Sequence, residues 1–492
     1  MRTLAIALVA LLGAQDRKPP NILLIYTDDQ SWRTLGCYGD ERAWPWVKTP
    51  NIDRLAAEGV RFATAYGAAW CTPSRASLMT GLLPHAIRGL DVPKAVGGGS
   101  YDPEVCRFWP RELRKAGYHT AMAGKWHIGQ DSGHGREWDS SFVWNQADIR
   151  GDWYNDQPMS LDGAPKQKVA GYSTDNYTQY AVDFVKRDKG KPWLLWLCYN
   201  APHLPNTFHP RHAEEYKDAE VPVPADIQGP REGKPAYLKD YSVWQDEEGV
   251  PTYRDWYLKK RVPLATLVRD YNKLVRAIDE GIGRIRKALE ESGQLENTII
   301  LFTSDQGFAW GDKGFAWKVG PYEACMRMPL LVRWPGVAKA GATCREPAAV
   351  YDLAPTIFAA AGAKLPWEMH GRDLRPLLEK PETRWDRPLL LEHFARSFGA
   401  QTDKGLTGKD AFSGIPWWIF LRQGKHKYIR TLVEDEIEEL YDLETDPGEM
   451  KNLALDPRHR ATLAEHRERF LAELRRTNAG LADRLPRPRT AE

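Results

Sequence analysis

Two oxygen-bearing pairs, with three carboxylates between them, stand at the ends of apolar runs. Asp28 and Asp29 follow "NILLIYT", and Asp305 and Gln306 follow "IILFTS". Carboxylates brought this close repel one another and call for a cation. Their all-oxygen donor set suits hard Ca²⁺, with Mg²⁺ second, better than zinc. "TDDQ" taken by itself also reads as a turn or a helix cap; its pairing with "TSDQG" at a second strand end favours a metal. Two further apolar runs deliver basic groups: "TAMAG" leads to Lys125 and His127, and "WLLWLCYN" leads to His203. Lys125 otherwise reads as a solvated strand-end charge, and His203, between prolines, as a loop cap. A fifth segment, "WCTPSRASLMTG", puts Cys71 at the start of a helix, with Thr72 as N-cap and Pro73 as first helical residue. There the helix dipole favours an anion, and Arg75 adds a fixed fork of donors. A lone cysteine reads as a buried small residue or as a thiolate nucleophile, and a thiolate is a poor match for a hard metal beside carboxylates.

The elements that must position these groups are strands and helices in alternation. The four runs are continuously apolar, as expected for strands buried on both faces. Between them lie helical patterns such as "NIDRLAAEGVRF", "YTQYAVDFVKR" and "DYNKLVRAIDEGIGRIRKALEESG". This predicts an α/β fold: a large, mixed but mostly parallel sheet sandwiched by helices, with ligands bound beyond the carboxyl ends of the strands. Insertions near 130–172 and 205–262 are rich in Trp, Tyr, Asp, Pro and Gly, and their tryptophans read as candidate sugar-facing surfaces. After about residue 375 the texture changes to short strands and turns, closed by the charged helix "RATLAEHRERFLAELRRT". The expected division is a catalytic domain over 20–375 and a smaller α+β subdomain with an antiparallel sheet over 376–492.

Composition narrows the class. A formal net charge of +2 over 492 residues gives no reason to expect a nucleic-acid partner. The first residues combine Arg2, an apolar run over 3–12 and Gly13-Ala14, the pattern of a signal peptide over 1–14. The run is too short to span a bilayer, so export without stable membrane insertion is expected, to a periplasmic or secreted location. The six cysteines are scattered without a metal-type pair, which leaves room for one or two disulfides and excludes a cysteine scaffold.

Cys71-Thr72-Pro73-Ser74-Arg75 followed by "ASLMTG" resembles the C-x-P-S-R signature of the formylglycine-dependent sulfatases, of the alkaline-phosphatase-like superfamily. The resemblance continues in order through "TPNIDRLAAEGVRF", "AGKWHIG", "APHLP", "FTSDQG", "GFAWKVGPYEACMRMPLLVRWPG" and "ELYDLETDPGEMKNLA". It implies that a formylglycine-generating enzyme oxidises Cys71 to an aldehyde whose hydrate attacks sulfur. It also implies that Asp28, Asp29, Asp305, Gln306 and modified Cys71 hold one Ca²⁺. Arg75, Lys125 and His127 would flank the nucleophile, while His203 and Lys318, four residues before Tyr322, would face the ester. Gln306 departs from the Asn or His common at its position, though an amide oxygen still serves a hard cation. The activity so implied is hydrolysis of sulfate monoesters on a sulfated small molecule or glycan. The rival readings are a phosphodiesterase or phosphonate monoester hydrolase of the same superfamily, and an inactive sulfated-glycan-binding relative.

Overall fold

The continuous apolar runs form the parallel centre of one sheet. The computed structural model describes residues 18–489, apart from 42, 93–98, 146–151, 188, 256 and 404–410. Strands Thr298–Ser304, Asn21–Thr27, Trp193–Cys198, His119–Lys125 and Ser140–Trp144 lie side by side in that order, all parallel. Five further strands, three on one side and two on the other, complete the ten, and Leu330–Arg333 runs against Thr298–Ser304. Successive residues of a strand point to opposite faces. Accordingly Ile22, Leu24 and Tyr26 join one apolar cluster while Leu23 and Ile25 join another. The second cluster is closed by helices Pro50–Ala57, Ser173–Lys186 and Leu264–Glu291. Helices Cys71–Thr80 and Leu353–Ala360 close the first.

A four-stranded antiparallel sheet follows late in the chain, in the order Leu389–His393, Trp418–Gln423, His426–Thr431, Glu438–Asp442. Its apolar residues share one cluster with helix Cys71–Thr80. The second insertion carries a three-stranded meander, Trp244–Glu247, Val250–Asp255 and Lys260–Pro263. Segment 1–14, read as a signal peptide, lies outside the described residues. Among the described residues no helix is long and apolar enough to cross a membrane, and no two cysteines are joined.

The start of the cysteine helix differs from the sequence expectation. Trp70, extended at φ −161°, is the N-cap, and Cys71, Thr72 and Pro73 are the first helical residues. Proline is tolerated third because the first N–H groups of a helix have no internal acceptor. The Thr72 hydroxyl, expected to cap, instead donates to the carbonyl of His127 at 3.2 Å. The helix ends as glycine dictates, with Gly81 left-handed at φ 70°.

Candidate active site

The register of the parallel strands brings the Asp-Asp and Asp-Gln pairs together. Thr27 lies beside Ser304, so both pairs leave the sheet at one edge. The backbone N–H of Asp29 donates to Asp305 Oδ1 at 2.7 Å, and that of Gln306 to the same oxygen at 3.0 Å. Tyr271, on the long helix, donates its hydroxyl to the carbonyl of Asp29, which sits left-handed at φ 64°. A non-glycine residue held this way is strained, a cost typical of functional sites.

Helix Cys71–Thr80 is docked onto this edge by serine and glycine. The Ser74 hydroxyl donates to the Asp305 carbonyl at 2.5 Å and lies 3.0 Å from Tyr26 Oη. A Cβ at Gly67 would lie 1.5 Å from the same carbonyl, so only glycine permits this approach. Cys71 Sγ therefore sits 3.1 Å from Asp28 Oδ1 and 3.8 Å from Asp29 Oδ1. Arg75, wholly buried, donates to the Lys125 carbonyl at 2.7 Å and reaches Asp305 Oδ2 at 3.5 Å and Asp28 Oδ2 at 3.9 Å. Lys125 pairs with Asp28, and Lys318 bonds Asp29 at 2.6 Å and lies 3.0 Å from Cys71 Sγ. Gly124, at φ 102°, lets the Lys125 strand pass the Cys198 carbonyl, which a Cβ would meet at 1.9 Å.

His203 comes in from the loop after its strand, with Nε2 3.6 Å from Asp29 Oδ2. Its Nδ1 donates to the Leu204 carbonyl, which leaves Nε2 with the lone pair in the neutral ring. Trp153 stacks on the imidazole at 4.7 Å and 7°, and Tyr154 donates its hydroxyl to the His203 carbonyl. His127 is buried and left-handed at φ 59°, and its Nδ1 has no hydrogen-bond partner.

The charges fit a cation. Burial, and then Asp28 and Asp29, push the Asp305 carboxyl well above the usual range. Its Oδ2 and the Gln306 amide oxygen are buried without a donor, while the Gln306 amide nitrogen turns to Asp29. Ligand atoms of Asp28, Asp29, Cys71 and His203 all lie within 4.8 Å of one another. Oxygens this crowded and unsatisfied suit a hard divalent ion. Burial opposes ionisation of Asp28, but Lys125, His203 and Arg75 outweigh it and hold its carboxyl low. The Cys71 thiol is pushed well up by burial and by Asp28, which disfavours a thiolate. Burial opposes charge on Lys318 too, yet Asp29, Cys71 and Asp28 keep its ammonium well above the usual lysine range. Burial lowers His203 to about 4 despite Asp29 and Asp28. His127 is also lowered, by burial and then by Lys125 and Arg75.

All ten residues read from the sequence as site candidates converge here. The sequence reading quoted Ser74 in the signature without giving it a role, and it missed Tyr26, Tyr271 and Tyr154, each of which acts through a hydroxyl that composition and spacing do not single out. Of the insertion tryptophans proposed as sugar surfaces, Trp138, Trp144 and Trp244 are core residues at 3% exposure or less. Trp153 reaches the site, and Trp256 lies outside the described residues.

A buried acidic cluster at the carboxyl edge of a parallel sheet, with Cys71 and five basic groups around it, is the lining expected of a metal-assisted hydrolase of an anionic ester. A family profile described as Sulfatase matches residues 20–363, and one described as N-sulphoglucosamine sulphohydrolase, C-terminal, matches 308–477. The protein is 31% identical to an N-acetylglucosamine-6-O-sulfatase of Bacteroides thetaiotaomicron, across 92% of this chain and 86% of that one. It is 30% identical to the N-acetylgalactosamine-6-sulfatase of Homo sapiens, across 76% of this chain and 68% of that one. A solved structure in complex with its substrate D-glucosamine-2-N,6-O-disulfate superposes with a TM-score of 0.80 at 28% identity, covering 95% and 99% of the two chains. The chain belongs to the sulfatase family. A phosphonate monoester hydrolase from Silicibacter pomeroyi, at 24% identity and a TM-score of 0.69, shares the fold.

Proposed function

We propose that the protein removes the 6-O-sulfate from an N-acetylated or N-sulfated hexosamine, using Cys71 oxidised to formylglycine and one Ca²⁺. The observation that carries the chemistry is the placement of Cys71 between Asp28, Asp29 and Lys318, on a helix docked against Asp305. The substrate class rests on the relatives above, which are named for or bound to 6-sulfated hexosamines.

Asp28, Asp29, Asp305 and Gln306 would hold the metal through oxygens, which favours Ca²⁺ over the stricter octahedral Mg²⁺. The metal supplies Lewis-acid charge, and the oxidised side chain of residue 71 supplies a hydroxyl nucleophile. The remaining roles belong to this chain's own side chains. Arg75, locked by the Lys125 carbonyl and over the Tyr26 ring at 5.2 Å, fixes the direction of residue 71. Lys125 neutralises Asp28 from the sealed side of the cluster. Lys318, whose side chain is 14% exposed, is the cation that an arriving sulfate meets, and it carries a proton for the departing oxygen. His203 is neutral before substrate arrives. An anionic ester beside it raises its affinity for a proton, so it shares the leaving-group task. His127, neutral with Nδ1 free, accepts a proton from residue 71 when sulfate leaves. Trp153 keeps the His203 ring in plane.

The test is sulfate release from N-acetylglucosamine 6-sulfate, N-acetylgalactosamine 6-sulfate, glucosamine 2-N,6-O-disulfate and an aryl sulfate, alongside an aryl phosphodiester and a phosphonate monoester. Turnover led by a 6-sulfated hexosamine supports the reading. Preference for either phosphorus ester refutes it, and binding without turnover of any sulfate identifies an inactive glycan-binding protein.

A further inference from the structure

Val319, directly after Lys318, is fully buried and left-handed, at φ 83°. A β-branched residue in this region is a genuine outlier, so its surroundings must hold it there. A side chain of the C-terminal sheet reaches it. Trp418 Nε1 donates to the Val319 carbonyl at 2.8 Å. Trp418 is itself rigid: it is fully buried, paired with His393 on one side and Thr431 on the other, and stacked on Phe420 at 5.6 Å and 8°.

The same sheet and the turn after it grip the chain on both sides of this point. Upstream, Lys313 Nζ donates to the Gly448 carbonyl. Downstream, Tyr322 Oη donates to Glu439 at 2.8 Å, and the Glu323 N–H donates to Glu449 at 2.7 Å. Lys427, fully buried, bonds Glu323 at 3.0 Å and Glu449 at 2.9 Å. Lys318 points the other way, to Asp29 and Cys71.

We propose that Trp418 is a positioning residue for Lys318: by holding Val319 left-handed, it aims the lysine into the site, so the C-terminal sheet takes part in catalysis. Relaxation of Val319 to negative φ turns the 318–319 peptide and carries the ammonium off the ester. This inference rests on the leaving-group role given to Lys318 above.

The experiment uses the full-length, calcium-loaded enzyme with the best sulfate ester of the panel. Trp418→Phe keeps the packed ring and deletes the donor. We expect kcat to fall about tenfold, the scale of one lost buried hydrogen bond, with KM little changed. Adding Val319→Gly should restore most of the loss, because glycine adopts φ 83° without steric cost. A purely structural role for Trp418 predicts the opposite, since glycine loosens the chain further. If Trp418→Phe does not fold, benzothienylalanine at 418 replaces the indole N–H with sulfur and serves as the second variant. Wild-type kcat in the donor-less enzyme, or no rescue by Val319→Gly, overturns the inference. A wild-type rate for Lys318→Met overturns the role of Lys318 and this inference with it. A slow Lys318→Met beside a fast Trp418→Phe overturns the inference alone.

Discussion

Lys125 and Lys318 both contact the acidic cluster, one fully enclosed and the other partly exposed, so removing each should separate stability from rate. Lys125 is fully enclosed and pairs with Asp28, which is also fully enclosed. Lys125→Met keeps the volume and leaves that carboxylate with Arg75, 3.9 Å away, as its remaining buried guanidinium. In the metal-free protein, stranding one partner of a buried pair costs about 3–5 kcal/mol, and calcium bound to Asp28 offsets part of it. Lys318 is 14% exposed, and without it Asp29 still accepts from the Gln306 amide. Lys318→Met should therefore cost about 1–2 kcal/mol in stability, the scale of a charged hydrogen bond. Its loss removes the proton-bearing cation at the departing oxygen, and such donors are worth about 10²–10³ in kcat. Thermal unfolding of both variants in chelator, and steady-state kinetics in calcium, make the comparison. Lys125→Met should show the larger drop in Tm and Lys318→Met a rate loss out of proportion to its stability. Equal Tm losses, or a Lys318→Met enzyme at wild-type rate, would refute the assignment of an inner structural and an outer catalytic lysine.

Chelation of calcium should abolish turnover and lower Tm, because a ligand at a hundredfold excess over its Kd stabilises the fold by about 2.7 kcal/mol. Calcium should restore both better than magnesium, and full activity in the chelated protein would remove the metal from the scheme. Trp153→Leu frees the imbalanced His203 ring stacked on it at 4.7 Å, and a drop of about tenfold in kcat is expected from kinetics on the 6-sulfate. Unchanged kcat would reduce Trp153 to packing. His393, buried in the C-terminal sheet, is held at about 3 by desolvation, below the 6.5 of an unfolded chain. The unfolded state then binds the extra proton, so this stability is present above pH 6.5 and is lost as pH falls toward 3. The loss amounts to about 3–5 kcal/mol. Denaturant melts of His393→Leu should show a flatter acid limb than wild type; an unchanged limb would place acid sensitivity elsewhere.

The sheet centre was legible because strands buried on both faces must be apolar throughout, as "NILLIYT" and "TIILFTS" are. Strand ends were legible for the same reason, since Asp28 and Asp305 interrupt those runs. Short edge strands such as Ala342–Cys344 carry too few residues to show a period. The start of the cysteine helix was misplaced because Thr72 has a hydroxyl suited to capping, and only the fold supplies its competing acceptor, the His127 carbonyl. Aromatic residues were the least readable. Trp138 and Trp153 stand in one insertion with similar neighbours, yet one fills the core and the other packs on the His203 imidazole. The strain at Val319 has no signal in sequence, because a valine there looks like any core residue.

The central claim is that residue 71 acts as an aldehyde derived from cysteine, which mass spectrometry of the tryptic peptide 62–75 addresses directly. Protein from its own host that releases sulfate from a 6-sulfated hexosamine should carry formylglycine at residue 71, and its specific activity should scale with the modified fraction. Full sulfatase activity in a preparation whose residue 71 is entirely unmodified cysteine would contradict the account.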